Sequence, residues 1–269
     1  MIINFGILNL TPDSFSDGDI NFFDINRSLQ KAQTLIDNGF QVIDIGAEST
    51  RPGAQVIDEK TEWLRLKDFL SSYNLSKPLS LDSSKPETIK NALYHSPFIN
   101  YINDVSGMQN PDLVYQVAEH AESFVKLIAM HSKGGVPPSL KSTEVPDDFY
   151  KEDGGLKEHI FCFFKKTIST CEKFDINPER LILDLGLGFG KNLKQSIELL
   201  ELIPAIKQEF ALPIMIGASR KSFLKTWKNQ EEASWQELDK WTYEFNELSA
   251  QAGADYLRSH SETISAKIA

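Results

Sequence analysis

Short apolar runs, each stopped by turn-forming or polar residues, alternate along this chain with longer stretches whose apolar residues recur at helical spacing. The first run, 2–10, ends at Thr11-Pro12-Asp13 and predicts a strand. Ile25, Leu29, Ala32, Leu35 and Ile36 then recur at helical intervals up to Gly39, a C-cap candidate. Further strands are predicted over 40–45, 79–81, 99–102, 124–130, 181–183, 212–216 and 254–258. Helices are predicted around Trp63, Leu66, Phe69 and Leu70, from Pro86, from Pro111 to Val117, and over 156–174. Others follow around Leu199, Leu202 and Ile206, over about 234–253, and in a short final segment after His260. A Gly/Pro/Ser-rich loop runs from His131 to about Gly155, a length that marks function or mobility rather than filler.

Eight short apolar strands alternating with helices call for parallel strands buried on both faces. Eight such units in about 250 residues predict a closed α/β fold, the (β/α)8 TIM barrel, as a single domain over residues 1–269. An open doubly wound sheet is the alternative. It lacks support because no dinucleotide fingerprint follows the first strand, and Gly186, Gly188 and Gly190 do not have the GxGxxG spacing.

Charge narrows the partners. The formal net charge of −10 argues against a nucleic-acid backbone, and an anionic substrate would need local cations to overcome the overall field. The two cysteines, Cys162 and Cys171, fall nine apart in one predicted helix, roughly 13 Å at 1.5 Å per residue, too far for a disulfide. The N-terminus has no signal-peptide layout and no apolar run reaches membrane-spanning length. A soluble cytoplasmic protein without a membrane partner is the expectation.

In such a barrel, polar residues at the carboxyl ends of the strands converge on one mouth. Here they are Asn9 after the first strand, Asp44, Glu48, Thr50 and Arg51 after the second, and Asp82 after the third. Asn103 and Asp104 follow the fourth, His131 the fifth, Asp184 the sixth, Ser219, Arg220 and Lys221 the seventh, and Arg258 and His260 the eighth. Any one of them alone would be a loop residue or a helix cap. Together they divide into an anion clamp of Arg51, Arg220, Arg258 and His260 and a mixed donor–acceptor group of Asp82, Asn103, Asp184 and Lys221. The Gly217–Ser222 turn adds an expected anion site at the start of a helix, and Asn9 offers an oxygen to a magnesium ion bridging phosphates. A phosphate clamp beside a slot for a flat heterocycle suggests transfer from a diphosphate ester. No activated nucleophile is evident.

The motifs then become specific. The run 6–18, reading GILNLTPDSFSDG, and the run 44–54, reading DIGAESTRPGA, resemble the first two signatures of the dihydropteroate synthase family. The segments 102–107, 184–191 and 219–222 are similar to further motifs of that family, in the right order over almost the whole chain. The resemblance implies condensation of a dihydropterin bearing a hydroxymethyl diphosphate with 4-aminobenzoate, with Mg2+, by a dissociative path. It also implies a target for sulfonamide mimics of aminobenzoate. By this resemblance Asp82, Asn103, Asp184 and Lys221 hold the pterin. Asn9, Arg51, Arg258 and His260 hold diphosphate and metal with Thr50 nearby, and Phe15, Pro52, Lys221 and Ser222 border the aminobenzoate. Arg220, Phe189 and Met130 complete the substrate-binding set, and Lys221, Arg258, His260, Arg51 and Asp82 form the catalytic set.

The chain departs from the family pattern in places. Asp82-Ser83-Ser84 stands where Asp-Thr-Tyr is usual, Leu185 where Pro is usual, and Ser261 where the last motif has Asp. The loop after His131 is longer, and Trp235, Trp241, Tyr243 and Phe245 replace a run of small residues near the family's usual dimer surface. A homodimer is therefore an open expectation. So are two alternatives: a relative that binds pterin without turnover, and a pterin-dependent methyltransferase domain.

Overall fold

Parallel pairing joins each strand to the next and the last to the first, closing the barrel in the order β1-β2-β3-β4-β5-β6-β7-β8. The strands are β1 (Ile3–Asn9), β2 (Val42–Gly46), β3 (Leu79–Asp82), β4 (Ile99–Asp104), β5 (Lys126–Met130), β6 (Leu181–Asp184), β7 (Ile214–Ile216) and β8 (Tyr256–Ser259). Around them lie α1 (Ile25–Asp37), α2 (Glu59–Ser72), α3 (Pro86–His95), α4 (Pro111–His120), α5 (Leu156–Glu172), α6 (Leu193–Phe210), α7 (Phe223–Trp227) and α8 (Trp235–Gln251). These coordinates are a computed structural model, and the structure describes residues 2–11, 24–49, 55–134 and 140–260. The predicted final helix lies outside the described residues.

Local chemistry starts the helices. Asp24 and Asp58 accept from the N–H groups of Arg27 and Thr61, and Pro86 and Pro111 occupy the first turns of α3 and α4. Asn192 with Gln195 and Ser234 with Glu237 form reciprocal capping boxes on α6 and α8.

Two apolar cores flank the barrel wall. The larger packs the outward faces of the strands against the helices, through residues such as Ile43, Leu81, Ile102, Leu183 and Ile216. The smaller, of Phe5, Val42, Ile128, Ile182 and Met215 with Tyr101 and Tyr256 against it, fills the lower half of the barrel. Strand alternation places the residue two further along on the same inner face. Asp44 follows Val42 in this way, Asn103 follows Tyr101, Asp184 follows Ile182, and Arg258 follows Tyr256. The inner face is thus apolar below and polar at the mouth.

Three features of local structure bear on the sequence expectations. The helix opening after Gly217–Ser222 is α7, only five residues long, and Ser222 makes no side-chain cap bond. So short a helix aligns few peptide dipoles, and the turn does not act as a dipole-based anion site. Of the bulky rings of α8, Trp241 and Phe245 turn inward, while Trp235 stays exposed: Phe245 is fully buried at 5.2 Å from Phe223 and 5.4 Å from Trp227 between ring centroids. Leu185, unlike the usual proline, donates its N–H to Met215 O at 3.4 Å, which adds a rung between β6 and β7.

Gly186 holds the turn beside Asp184 at φ +62°, and a Cβ there would stand 1.9 Å from His131 O. Gly186→Ala combines a left-handed penalty with a backbone clash, so we expect a loss on the order of 3 kcal/mol in denaturant unfolding.

Candidate active site

The mouth is built from the carboxyl ends of the strands. Asn9 pairs in register with Gly46, Gly46 with Asp82, and Asp82 with Asn103; across the barrel Met130 pairs with Asp184. Each therefore stands at the carboxyl end of its strand.

Arg258 joins two of the acids. Its Nε donates to Asp44 Oδ2 at 2.6 Å and a terminal nitrogen donates to Asp82 Oδ2 at 2.5 Å. Burial alone would make the guanidinium easier to deprotonate, but the two carboxylates outweigh it and hold Arg258 charged. Asp44 is fully buried, and its Oδ1 has no hydrogen-bond partner among the described residues. Arg258 thus bridges the acidic group that was assigned to the ring and the basic group that was assigned to the diphosphate. The two groups are one network rather than two separate halves.

Burial pushes the Asp82 carboxyl up to about 7, Arg258 opposes this, and the negative charges of Asp44, Glu62 and Asp104 add to it. The sign follows from proton binding. Between its ordinary range near 4 and about 7, the folded state holds a proton that the unfolded state has lost, so stability contributed by this group falls as pH rises through that window. Replacement by Asn removes the dependence. We expect the Tm of Asp82→Asn to gain on the parent between pH 5 and 8, on the order of 5 °C, and to level off above. Thermal unfolding at several pH values checks this.

Asp184 is buried, and its Oδ1 accepts from Gly186 N–H at 2.8 Å. Its Oδ2 lies beside Gly217, 3.9 Å from where a Cβ would sit. Burial raises its pKa, while the Gly186 bond and the charges of Arg258 and Lys221 lower it. Asn103 is also buried, and its Oδ1 accepts from no described group. A buried acceptor without a donor is costly unless a ligand supplies one.

Lys221 reaches the mouth over the Phe189 ring, with Nζ 3.9 Å from the centroid. Phe189 packs with Met130 and Val105 in a small apolar cluster. A flat ring bonded to the acids could rest on this platform. On the other side Ser219 Oγ lies 3.0 Å from His260 Nδ1, and Asn9 Nδ2 lies 3.4 Å from His260 Nε2. Ser219 Oγ also accepts the His260 backbone N–H at 3.0 Å, so the serine and the Asn9 amide fix the ring from both nitrogens. Asn9 Oδ1 is then the atom that can face a metal.

Four placements add to or correct the sequence reading. Arg220 does not join the anion clamp: its guanidinium pairs with Asp239 at 2.7 and 2.9 Å and stacks over Trp235, on the outer side of the β7 loop. Ser222 spends its hydroxyl on Ser142 at 2.6 Å, tying the β7 loop to the loop after β5. His131 lies under the mouth in an aromatic cluster with Phe163 and His159, fully buried, and burial pulls its pKa well below the ordinary range. Asp104 is internal too, accepting from Ser106 N–H, Ser106 Oγ and Met108 N–H. Phe15, Thr50, Arg51 and Pro52 lie outside the described residues.

The sequence reading placed Asp44 and Ser219 at strand ends but gave them no ligand. Contacts supply the roles: Asp44 anchors Arg258, and Ser219 orients His260. A further support lies behind Asp82. Lys85 Nζ donates to Glu48 Oε2 at 2.5 Å, and Ser83 Oγ to the buried Glu62 at 2.9 Å.

An all-parallel eight-stranded barrel with a polar, mixed-charge mouth defines a small-molecule enzyme of the TIM-barrel class. Residues 5–260 match the family model described as pterin binding enzyme. The chain belongs to that family, in its dihydropteroate synthase branch. A dihydropteroate synthase type-3 of Escherichia coli is 32% identical over 259 residues, covering 95% of this chain and 92% of the relative. The dihydropteroate synthase of Synechocystis is 33% identical over 222 residues, 81% of this chain and 72% of the relative. Among solved structures, the enzyme of Clostridium difficile crystallised in the presence of pteroic acid superposes with a TM-score of 0.83 at 28% identity. It covers 97% of this chain and 92% of that one.

Proposed function

We propose that this mouth joins a 7,8-dihydropterin methyl diphosphate to 4-aminobenzoate, giving 7,8-dihydropteroate and diphosphate. The observation that carries the assignment of residues is the buried acceptor set: Asp184 Oδ2 beside Gly217, and Asn103 Oδ1 without a donor, on the inner face of the same barrel end. An ionised Asp184 takes two parallel N–H bonds from the amidine-like edge of a 2-amino-4-oxo pyrimidine ring. Asn103 takes a third, Lys221 donates to the ring carbonyl, and Met130 and Phe189 support the ring face.

Arg258 and His260 then face the diphosphate. When the ester binds, Arg258 trades part of its contact with Asp82 for the leaving group, and Asp82 turns to the ring. The bond from the methylene carbon to the diphosphate oxygen breaks, with its electron pair leaving on diphosphate. The amine of 4-aminobenzoate forms the new C–N bond and releases one proton. The acids stabilise the positive charge that develops on the pterin, and the cations stabilise the departing anion. Arg51, Thr50, Phe15 and Pro52 belong to the same proposal through the family resemblance.

Magnesium fits as a partner of the diphosphate. Among the described residues no cluster of three His, Cys, Asp or Glu is present to cage a metal, and Asn9 Oδ1 is a single neutral donor. That suits Mg2+, which binds through one or two protein oxygens together with phosphates and water. When bound it would neutralise charge on the leaving group.

The Yersinia pestis dihydropteroate synthase in its sulfonamide drug complex, 31% identical with a TM-score of 0.82, supports sulfonamides as competitors of 4-aminobenzoate here. No described helix is long and apolar enough to cross a membrane, and both cysteines are free, which fits a reducing cytoplasm. A homodimer through the α8 side, where Leu248 is exposed, is part of the same proposal.

The test is incubation with the pterin diphosphate, Mg2+ and 4-aminobenzoate, with dihydropteroate read by mass. Product that depends on both substrates supports the reading. Pterin binding without product would leave a binding protein instead.

A further inference from the structure

The β7 loop carries Ser219, Lys221 and Ser222, yet the helix after it has only five residues to hold it. The residue at its centre, Arg220, sits at φ +56°, a left-handed conformation that residues other than glycine adopt at a cost. That conformation turns the Arg220 side chain outward while Ser219 meets His260 and Lys221 meets Phe189. Something must hold it.

One face of α8 does so. Trp235, Asp239 and Thr242 are spaced four and three apart, so they line one side of the helix. Asp239 takes the Arg220 guanidinium through both oxygens, at 2.7 Å from Nε and 2.9 Å from a terminal nitrogen. The Trp235 ring lies under the same guanidinium, 5.1 Å from Cζ to the centroid. Thr242 Oγ1 accepts the Arg220 backbone N–H at 3.1 Å and donates to Leu238 O at 2.7 Å. The Ser234–Glu237 capping box fixes the end of the helix that carries Trp235, and Lys228 pairs with Glu244 further along. A planar bidentate pair on an aromatic face is a geometry that Lys or a smaller cation cannot copy.

We propose that α8 is a clamp on the β7 loop, with Asp239 and Trp235 as positioning residues. By holding Arg220 left-handed they fix Ser219 on His260 and Lys221 on the Phe189 platform. The consequence for turnover rests on the function proposed above; the consequence for loop order does not. None of these α8 residues touches substrate in this reading. They act through Arg220.

The test uses the full chain and the variants Asp239→Ala, Asp239→Glu and Arg220→Gly. Glycine keeps the left-handed backbone accessible while deleting the clamped side chain. In Asp239→Ala we expect amide hydrogen exchange at Arg220 and Lys221 to speed at least tenfold, with Tm within about 2 °C. With substrates, both KM values rise about tenfold while kcat stays within threefold, and Asp239→Glu recovers most of the loss. In the Arg220→Gly background, Asp239→Ala adds nothing further. Parent-like exchange in Asp239→Ala overturns the clamp, and so does an effect that persists undiminished in the Arg220→Gly background. A KM increase matched by a general fall in Tm also overturns it. If the parent makes no dihydropteroate, the function falls, and the exchange measurement still decides the clamp.

Discussion

Asp184→Asn is expected to lower kcat/KM at least 1,000-fold while the barrel stays folded. The amide matches the carboxylate in size and can still accept the Gly186 N–H, so the turn after β6 survives. What it loses is the second acceptor. Two parallel N–H donors from a pterin edge would meet one oxygen and one NH2 group, which leaves a buried donor facing a donor. A thousandfold loss corresponds to about 4 kcal/mol of transition-state stabilisation. Stability should hold or rise, because burial already works against the ionised carboxylate that is removed. Steady-state kinetics, pterin titration and thermal unfolding on one preparation check all three. Normal product formation would remove Asp184 from its role.

Asp44→Asn should damage both stability and activity. The parent carboxylate is fully buried and holds Arg258 at 2.6 Å. Removing its charge leaves a guanidinium at the mouth with Asp82 as its remaining carboxylate contact. Breaking a buried ion pair from one side typically costs about 3–5 kcal/mol, and the retained amide contact should keep this variant near the lower end. Turnover should fall about 100-fold, because Arg258 loses the fixed direction from which it meets the diphosphate. The double variant Asp44→Asn, Arg258→Met separates the effects when unfolding is read at pH 5, where Asp82, deprived of its cation, stays protonated: it should regain stability there and remain inactive. Denaturant unfolding and product formation read the two separately. Equal loss of stability in the single and double variants would show that Asp44 matters for packing and not for its charge.

Much of this was legible before any coordinates. The period of the apolar residues located all eight strands and the helices between them, because strands buried on both faces must be short and apolar and surface helices must be striped. The placement of Asn9, Asp82, Asn103, Asp184 and Arg258 at strand ends followed from the same reading, since a barrel leaves its inward polar residues at one mouth. The reading failed for Arg220 and His131, and it did not foresee the contact that Ser222 makes with Ser142. Each is a polar residue just beyond a strand, and sequence position does not tell which way a loop side chain turns. For Arg220 the backbone sign at one residue settled it, with Asp239 nineteen positions away supplying the partner.

The chain's order of residues alone determined the architecture, the end of the barrel where chemistry gathers, and the family to which it belongs. Those follow from local periodicity and from short motifs. Only the folded arrangement decided that Asp44 and Asp82 share one arginine, that Ser219 orients His260, and that α8 grips the β7 loop. These are contacts between residues up to 214 positions apart, and a hydrogen bond a few ångströms long depends on barrel closure that no local pattern encodes.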